Sequence, residues 1–156
     1  MSGYDPKVLG YLGRALSLEL SAVQLYTTQA RLLANWGLDE PARKLQGEAA
    51  EEMQHVERVI ARMLAVGVAP NASQLKPVKL GADLQSLLKI NHDFEQELIK
   101  LYGDAVRHCT AIGSHNDRQF FQLLLEEEQQ HAADLSAWLQ QLQSQSSEVG
   151  KSVRGR

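Results

Sequence analysis

Two short segments of the chain place a glutamate three positions before a histidine. They pair Glu52 with His55 in AEEMQHVERV and Glu128 with His131 in EEEQQH. On a helix, residues three apart lie side by side on one face, so each pair would present one oxygen and one nitrogen ligand together. Carboxylate and imidazole groups arranged in this way suit a divalent transition metal such as iron.

The elements that must position these pairs are four helices, predicted from apolar residues that alternate steps of three and four. The first is expected over about residues 7–36 and the second over about residues 39–66; a third carries Leu84 to Ile112 and a fourth carries Phe121 to Leu142. The segment VAPNASQLKPVKLGA lacks this period and contains two prolines, which predicts a long connection. The sequence therefore predicts an all-α four-helix bundle, made of two antiparallel hairpins joined by a crossover.

Six positions along the inner faces of these helices carry acidic or imidazole side chains where a bundle normally has apolar ones. They are Glu19, Glu52, His55, Glu95, Glu128 and His131. Removing an unpaired carboxylate from water costs several kcal/mol, so four of them require a cationic partner. One glutamate from each of two helices, with Glu-x-x-His from each of the other two, is the ligand pattern of di-iron and di-manganese carboxylate bundles. We therefore predict a two-metal centre.

A constant offset of 76 positions relates the two halves of this predicted centre. The offset joins Glu19 to Glu95, Glu52 to Glu128, His55 to His131 and Tyr26 to Tyr102. A repeat of this kind indicates that the two hairpins are structural copies related by a pseudo-two-fold axis. Each metal would then receive one terminal carboxylate and one imidazole, and the remaining two carboxylates would be free to bridge.

The spacing leaves some alternatives open. Glu51 and Glu127 could replace their neighbours as ligands, although the helix register favours Glu52 and Glu128. Asn91, one turn before Glu95, and Glu127 are candidate hydrogen-bond partners of the ligands. We expect Tyr102 to be an ordinary core aromatic. The histidines away from the inner faces, which we expect to be solvated, are His92, His108 and His115.

Composition limits the classes of partner and location. The chain has 156 residues and a formal net charge of -3 with interspersed signs, so no basic face for nucleic acid is expected. Its single cysteine, Cys109, cannot form an internal disulfide, and the amino terminus has no apolar signal-peptide run. No run approaches the roughly 18 apolar residues of a membrane span. We expect a cytoplasmic protein with one domain over residues 1–144 and an unstructured tail over residues 145–156.

The chain resembles a bacterioferritin from Val8 to about Leu142. The resemblance is carried by LSLELSAVQLY, by NWGL at the end of the first helix, by EEMQHVERVI, by APN in the connection, by Glu95 and by EEEQQH. It implies a ferritin-like bundle in which the six inner-face residues are the ligands of a ferroxidase centre with two irons per subunit. In this resemblance Glu52 and Glu128 bridge the irons.

Two further residues match family positions with known roles. Tyr26 matches a tyrosine associated with the centre, which implies a local electron donor or a hydrogen-bond partner. Met53 falls on the haem-ligating methionine, so the resemblance implies a b-type haem shared between the methionines of two subunits across a two-fold axis. Met53 lies about 100° around its helix from Glu52 and therefore faces a different surface.

The family's activity is oxidation of Fe(II) by O₂ or H₂O₂, with ferric mineral stored inside a shell of 24 subunits built from two-fold dimers. The resemblance also implies a ferredoxin-type electron donor for iron release through the haem.

Two departures from the family pattern keep other readings open. The carboxyl-terminal QSQSSEVGKSVRGR lacks the apolar period of the family's short fifth helix, and Gly47 replaces a histidine found at an inner-surface iron site in some members. A smaller ferritin-like di-iron enzyme that reduces peroxide or O₂, and a haem-carrying subunit of a mixed shell, are the alternatives.

Overall fold

The structure is a computed structural model, and it describes residues 3–71 and 73–154. These residues contain four helices. They are α1 (Pro6–Asn35), α2 (Asp39–Ala65), α3 (Leu84–Ala111) and α4 (His115–Arg154). Within those residues there is no β-strand. The predicted all-α four-helix bundle is confirmed, with α1 packed along α2 and α3 packed along α4.

The two hairpin turns repeat one another at the same offset as the site residues. Gly37 ends the turn after α1 with φ of 80°, and Gly113 lies 76 positions later with φ of 72°. This left-handed backbone is open to glycine without a steric penalty, so each helix can stop within one residue. In both turns the glycine N–H donates to the carbonyl three residues back. The internal repeat therefore extends from the inner faces to the connections.

The long connection crosses the bundle against α1. Backbone N–H groups of Gln74 and Lys76 donate to the hydroxyls of Ser17 and Ser21, at 3.0 and 2.9 Å. The start of α3 is defined by a capping box, in which Asp83 and Ser86 satisfy each other's backbone N–H groups. These bonds explain how a segment without regular structure delivers α3 to a defined position beside α1.

Two apolar cores lie on either side of the polar middle of the bundle. The larger core includes Val8, Leu12, Ala15, Leu16, Ala105, Cys109, Phe121 and Leu124. The smaller core comprises Ala30, Leu33, Ala42, Leu45, Leu87, Leu88 and Leu135. Their burial holds the four helices rigidly enough to keep charged side chains between them.

The sequence predicts an unstructured tail from residue 145, whereas the structure describes residues 145–154 as part of α4, which ends at Arg154. The apolar spacing that predicts the fourth helix ends near Leu142. Residues 143–149, QSQSSEV, contain neither proline nor glycine, so the backbone hydrogen bonds of the helix can continue without a packed face. Residues 155 and 156 lie outside the described residues, and the domain boundary at residue 144 stays a prediction.

Candidate metal centre

The structure brings the six predicted residues together in two overlapping groups. One group is Glu19, Glu52, His55 and Glu128, and the other is Glu52, Glu95, Glu128 and His131. Within each group, one potential ligand atom per residue lies within 4.8 Å of the others. The four glutamates and His55 are buried, and only His131 is partly exposed. The two groups overlap at Glu52 and Glu128.

Both histidines direct Nδ1 into the centre. Nδ1 of His55 lies 2.9 Å from Oε1 of Glu128 and 3.4 Å from Oε1 of Glu19. Nδ1 of His131 lies 3.0 Å from Oε1 of Glu52. The two rings are stacked with centroids 6.0 Å apart. Each imidazole thus contacts the shared carboxylate of the opposite helix, as the pseudo-two-fold relation requires.

The outer nitrogens of the histidines face the alternative glutamates. Nε2 of His131 lies 2.5 Å from Oε2 of Glu51, and Nε2 of His55 lies 3.5 Å from Oε2 of Glu127. Glu127 also pairs with Arg58 at 2.5 Å. Acceptors at Nε2 favour the tautomer that leaves Nδ1 free for a metal. This geometry supports Glu51 and Glu127 as hydrogen-bond partners of the histidines. Each of the two contacts joins α2 to α4.

Each of the two tyrosines donates a hydrogen bond to a glutamate of the other hairpin, between α1 and α3. The Tyr26 hydroxyl donates to Oε1 of Glu95 at 2.5 Å, and the Tyr102 hydroxyl donates to Oε1 of Glu19 at 2.6 Å. Our expectation that Tyr102 is only a core aromatic is therefore wrong, although it is fully buried. The 76-residue match between Tyr26 and Tyr102 could have indicated that the two tyrosines make equivalent contacts. The partner of Tyr102 is fixed only by the antiparallel packing of α1 and α3.

Burial shifts the protonation of the carboxylates. It raises the pKa of Glu19 to about 8, with the neighbouring Glu52 adding to the rise. It also raises the pKa of Glu95, and it raises the pKa of Glu128 well above the usual range. Burial opposes ionisation of Glu52 too, but its close contacts with Glu19, His131 and His55 hold its pKa below the usual range. The raised pKa values favour the protonated forms of Glu19, Glu95 and Glu128 in the absence of metal.

The carboxylates of the centre favour the protonated, positively charged forms of both histidines. Although burial works against the charged form, contacts with Glu128, Glu19 and Glu52 raise the pKa of His55 to about 12. Contacts with Glu52 and Glu95 likewise raise the pKa of His131 to about 10. Two imidazolium ions therefore stand close to where two metal ions would bind, and metal binding must displace their protons.

The donor set fits a pair of divalent metal ions. Oε2 of Glu19, Glu95 and Glu128 is buried and has no hydrogen-bond partner among the described residues. Such oxygens are costly to bury unless a cation coordinates them. Four carboxylates balance the charge of two divalent ions, and mixed carboxylate and imidazole ligands suit iron.

The remaining predicted residues lie apart from the metal groups. Asn91 is fully buried, and its side chain has no hydrogen-bond partner among the described residues. His108 bonds to Asp5 at 2.9 Å and is only partly exposed, so the expectation that it is solvated is wrong. His115 is exposed as expected, and His92 is partly buried.

Comparison with known proteins identifies the family. The family model of the ferritin-like domain matches residues 9–144 of this chain. A bacterioferritin of Rhodobacter capsulatus is 34% identical over 127 residues, which cover 81% of this chain and 79% of the relative. The chain belongs to the bacterioferritin family. A Brucella melitensis bacterioferritin is 32% identical over the same shares of the two chains.

A solved bacterioferritin structure shares the fold. The Rhodobacter capsulatus protein, described with a metal-free dinuclear site and haem iron in a crystallographic special position, superposes with a TM-score of 0.87. It is 31% identical, and the match covers 92% of this chain and 89% of that one. The expected resemblance to bacterioferritins, with the ferritin-like four-helix bundle, is confirmed.

Met53 lies outside both candidate ligand groups. Its side chain is 41% exposed, whereas Glu52 beside it is fully buried. Gln46, Ala50 and Glu57 share its exposed stripe on α2. No helix in residues 3–71 or 73–154 combines the length and apolarity needed to cross a membrane.

Proposed function

We propose that this bacterioferritin binds two Fe(II) ions within one subunit and oxidises them, and that the ferric product is stored in an oligomeric shell. The observation that carries the proposal is the pair of ligand groups sharing Glu52 and Glu128. Family membership supports iron storage in general, and the site geometry supports the oxidation step.

In this proposal each residue has a defined role. Glu52 and Glu128 bridge the two ions, since both belong to both groups. Glu19 with His55 completes one position, and Glu95 with His131 completes the other. Tyr26 and Tyr102 hold the terminal carboxylates in place through their hydroxyls.

The reaction balances with either oxidant. Two Fe(II) substrate ions lose one electron each, and O₂ with two protons gives H₂O₂, or H₂O₂ with two protons gives two waters. His55 and His131 must release their Nδ1 protons before binding iron, while each Nε2–H stays directed at Glu127 or Glu51 at the outer face. The four buried carboxylates match the charge of the two Fe(II) ions before oxidation.

The exposed thioether of Met53 supports a second proposed cofactor, a b-type haem held between two subunits. When bound, this haem would supply one-electron transfer. The chain's own contribution would be the Met53 sulfur, which would hold the haem on a face of α2 turned about 100° from Glu52.

Several finer points belong to the same proposal. We infer a cytoplasmic protein that assembles from two-fold dimers into a 24-subunit shell and receives electrons from a ferredoxin-type donor. One observation favours a smaller di-iron enzyme instead. Among the described residues α4 is a single helix to Arg154, and no separate fifth helix follows it. Light scattering distinguishes the two, since a mass near 24 chains requires the shell and a dimer excludes it.

The oxidation step is tested by Glu52→Ala, because this change removes a ligand common to both metal positions. Rapid Fe(II) oxidation in a stopped-flow assay should be abolished. Glu57→Ala, an exposed glutamate on the same helix, is the matched control and should leave the initial rate unchanged. An unchanged rate in Glu52→Ala would exclude the di-iron assignment.

A further inference from the structure

The 76-residue match between the halves breaks just outside the metal centre. Gln29 of α1 and Asn91 of α3 have Ala105 and Ala15 as their counterparts. Both alanines belong to the larger apolar core, beyond Tyr102 and Glu19. One end of the centre is therefore backed by methyl groups and the other end by two carboxamides.

Helix geometry places both carboxamides on the same side of the bond between Tyr26 and Glu95. Gln29 lies three residues after Tyr26 on α1, and Asn91 lies four residues before Glu95 on α3. Since α1 and α3 run antiparallel, these shifts lead in the same direction along the bundle. The neighbouring Ala30 belongs to the smaller core. The two carboxamides thus form a polar layer between Glu95 and that core.

This layer has no hydrogen-bond partners within the described residues. Gln29 and Asn91 are both 0% exposed, and all four of their side-chain nitrogen and oxygen atoms are unpartnered. Oε2 of Glu95 is unpartnered as well. A buried polar group left in this way costs about 1–3 kcal/mol. Folded proteins satisfy such groups with ordered water, which here would find donors and acceptors on two side chains and an acceptor on a third.

We propose that Gln29 and Asn91 hold buried water beside Glu95, and that this hydrated layer orients Glu95 as a metal ligand. The two amides are positioning residues, since they act through Glu95. This inference rests on the proposed di-iron function and deepens it. The two metal positions have matching ligands but different support, so they differ in their affinity for divalent ions.

Titration of the metal-free full-length protein with Co(II), followed by visible absorption, tests the inequivalence. The variants Asn91→Leu and Gln29→Met keep approximate side-chain size and remove the hydrogen-bonding groups. Losing a hydrogen-bonded partner of a metal ligand typically costs about 10–100-fold in affinity. We expect the affinity of one of the two Co(II) positions to fall at least about tenfold and the other to stay unchanged.

The control is Leu88→Met, a volume-conserving change within the smaller core. It should leave both Co(II) affinities as they are. A purely structural role for the amides predicts a different signature, in which the apolar variants melt at a higher temperature and bind Co(II) like the native chain. That result would overturn the inference.

Two outcomes separate this inference from the function on which it rests. Native protein that binds no Co(II) would contradict the di-iron centre itself, whereas native-like titrations of both variants would contradict only the role of the amides. A high-resolution crystal structure of the native metal-free protein supplies a test without any variant. Water bonded to both amides supports the proposal, and amides bonded only to protein groups would refute it.

Discussion

The hydroxyl of Tyr102 on α3 donates a hydrogen bond of 2.6 Å to Oε1 of Glu19 on α1. Tyr26 and Glu95 form the same contact with the helices exchanged. Each hairpin therefore supplies the tyrosine that holds the terminal carboxylate of the other. The candidate metal centre depends on the docking of the two hairpins, because neither hairpin carries all the residues of either candidate group.

We expect Tyr102→Phe to weaken divalent-metal binding by about tenfold or more, because Oε1 of Glu19 loses its donor. Tyr26→Phe should weaken binding to a similar degree. If Tyr26 is in addition a local electron donor, only Tyr26→Phe should lower the oxidation rate at saturating Fe(II). Stopped-flow oxidation over a range of Fe(II) concentrations measures both effects. Tyr11→Phe, away from the centre, is the control, and unchanged affinity in Tyr102→Phe would contradict the assigned role.

Metal binding should strengthen as pH rises from about 6 to 8. The pKa of His55 is raised to about 12, that of His131 to about 10 and that of Glu19 to about 8, so all three hold protons at neutral pH. Each must lose its proton to become a ligand, and each such proton lowers apparent affinity up to about tenfold for every unit of pH below its pKa. Calorimetry in buffers of different ionisation enthalpy should detect at least three protons released per metal pair at pH 7, since the pKa of Glu128 is also raised well above its usual range. Binding independent of pH would contradict this account.

Glu19→Gln should stabilise the metal-free protein. The folded-state pKa of Glu19 is raised from 4.5 to about 8, so the folded chain keeps a proton that the unfolded chain loses. Stability is therefore lost as pH rises from 4.5 to about 8, and an uncharged glutamine removes that loss. The melting temperature of the variant should exceed that of the native chain by a margin that grows over this pH window. Each 1 kcal/mol corresponds to roughly 2–4 °C. A margin that shrinks with rising pH would show the opposite sign.

Met53→Leu should prevent haem binding without unfolding the protein, because the exposed side chain contributes little to the core. Reconstitution with haemin followed by absorption spectroscopy measures the loss, and the melting temperature reports folding. Met63→Leu is the control, since Met63 is buried in the larger core. A bis-thioether haem spectrum in Met53→Leu would exclude Met53 as the axial ligand.

Much of the fold and the site was predictable, for a definite physical reason. Helical periodicity depends on local spacing, so the apolar pattern correctly predicted four helices, two short turns and a crossover. The polar residues that interrupt this pattern, such as Glu19 and Glu95, stand out because buried charge is costly. The constant offset of 76 positions then related the candidate ligands of one hairpin to those of the other, without any measured distance between their atoms.

Other features were decided by the tertiary structure. Whether Glu51 or Glu52 turns into the centre depends on helix rotation, which packing sets, and Glu51 lies against the outer nitrogen of His131. The contacts of Tyr102 with Glu19 and of Tyr26 with Glu95 join different hairpins, so no local pattern contains them. The continuation of α4 past Leu142 depends on backbone hydrogen bonds that apolar spacing does not report. The sequence alone thus determined which residues could bind metal and which helices carry them, because spacing and the cost of burying charge are local properties. Only the packing of one hairpin on the other decided which atoms meet, since those contacts join residues that lie 69 to 83 positions apart.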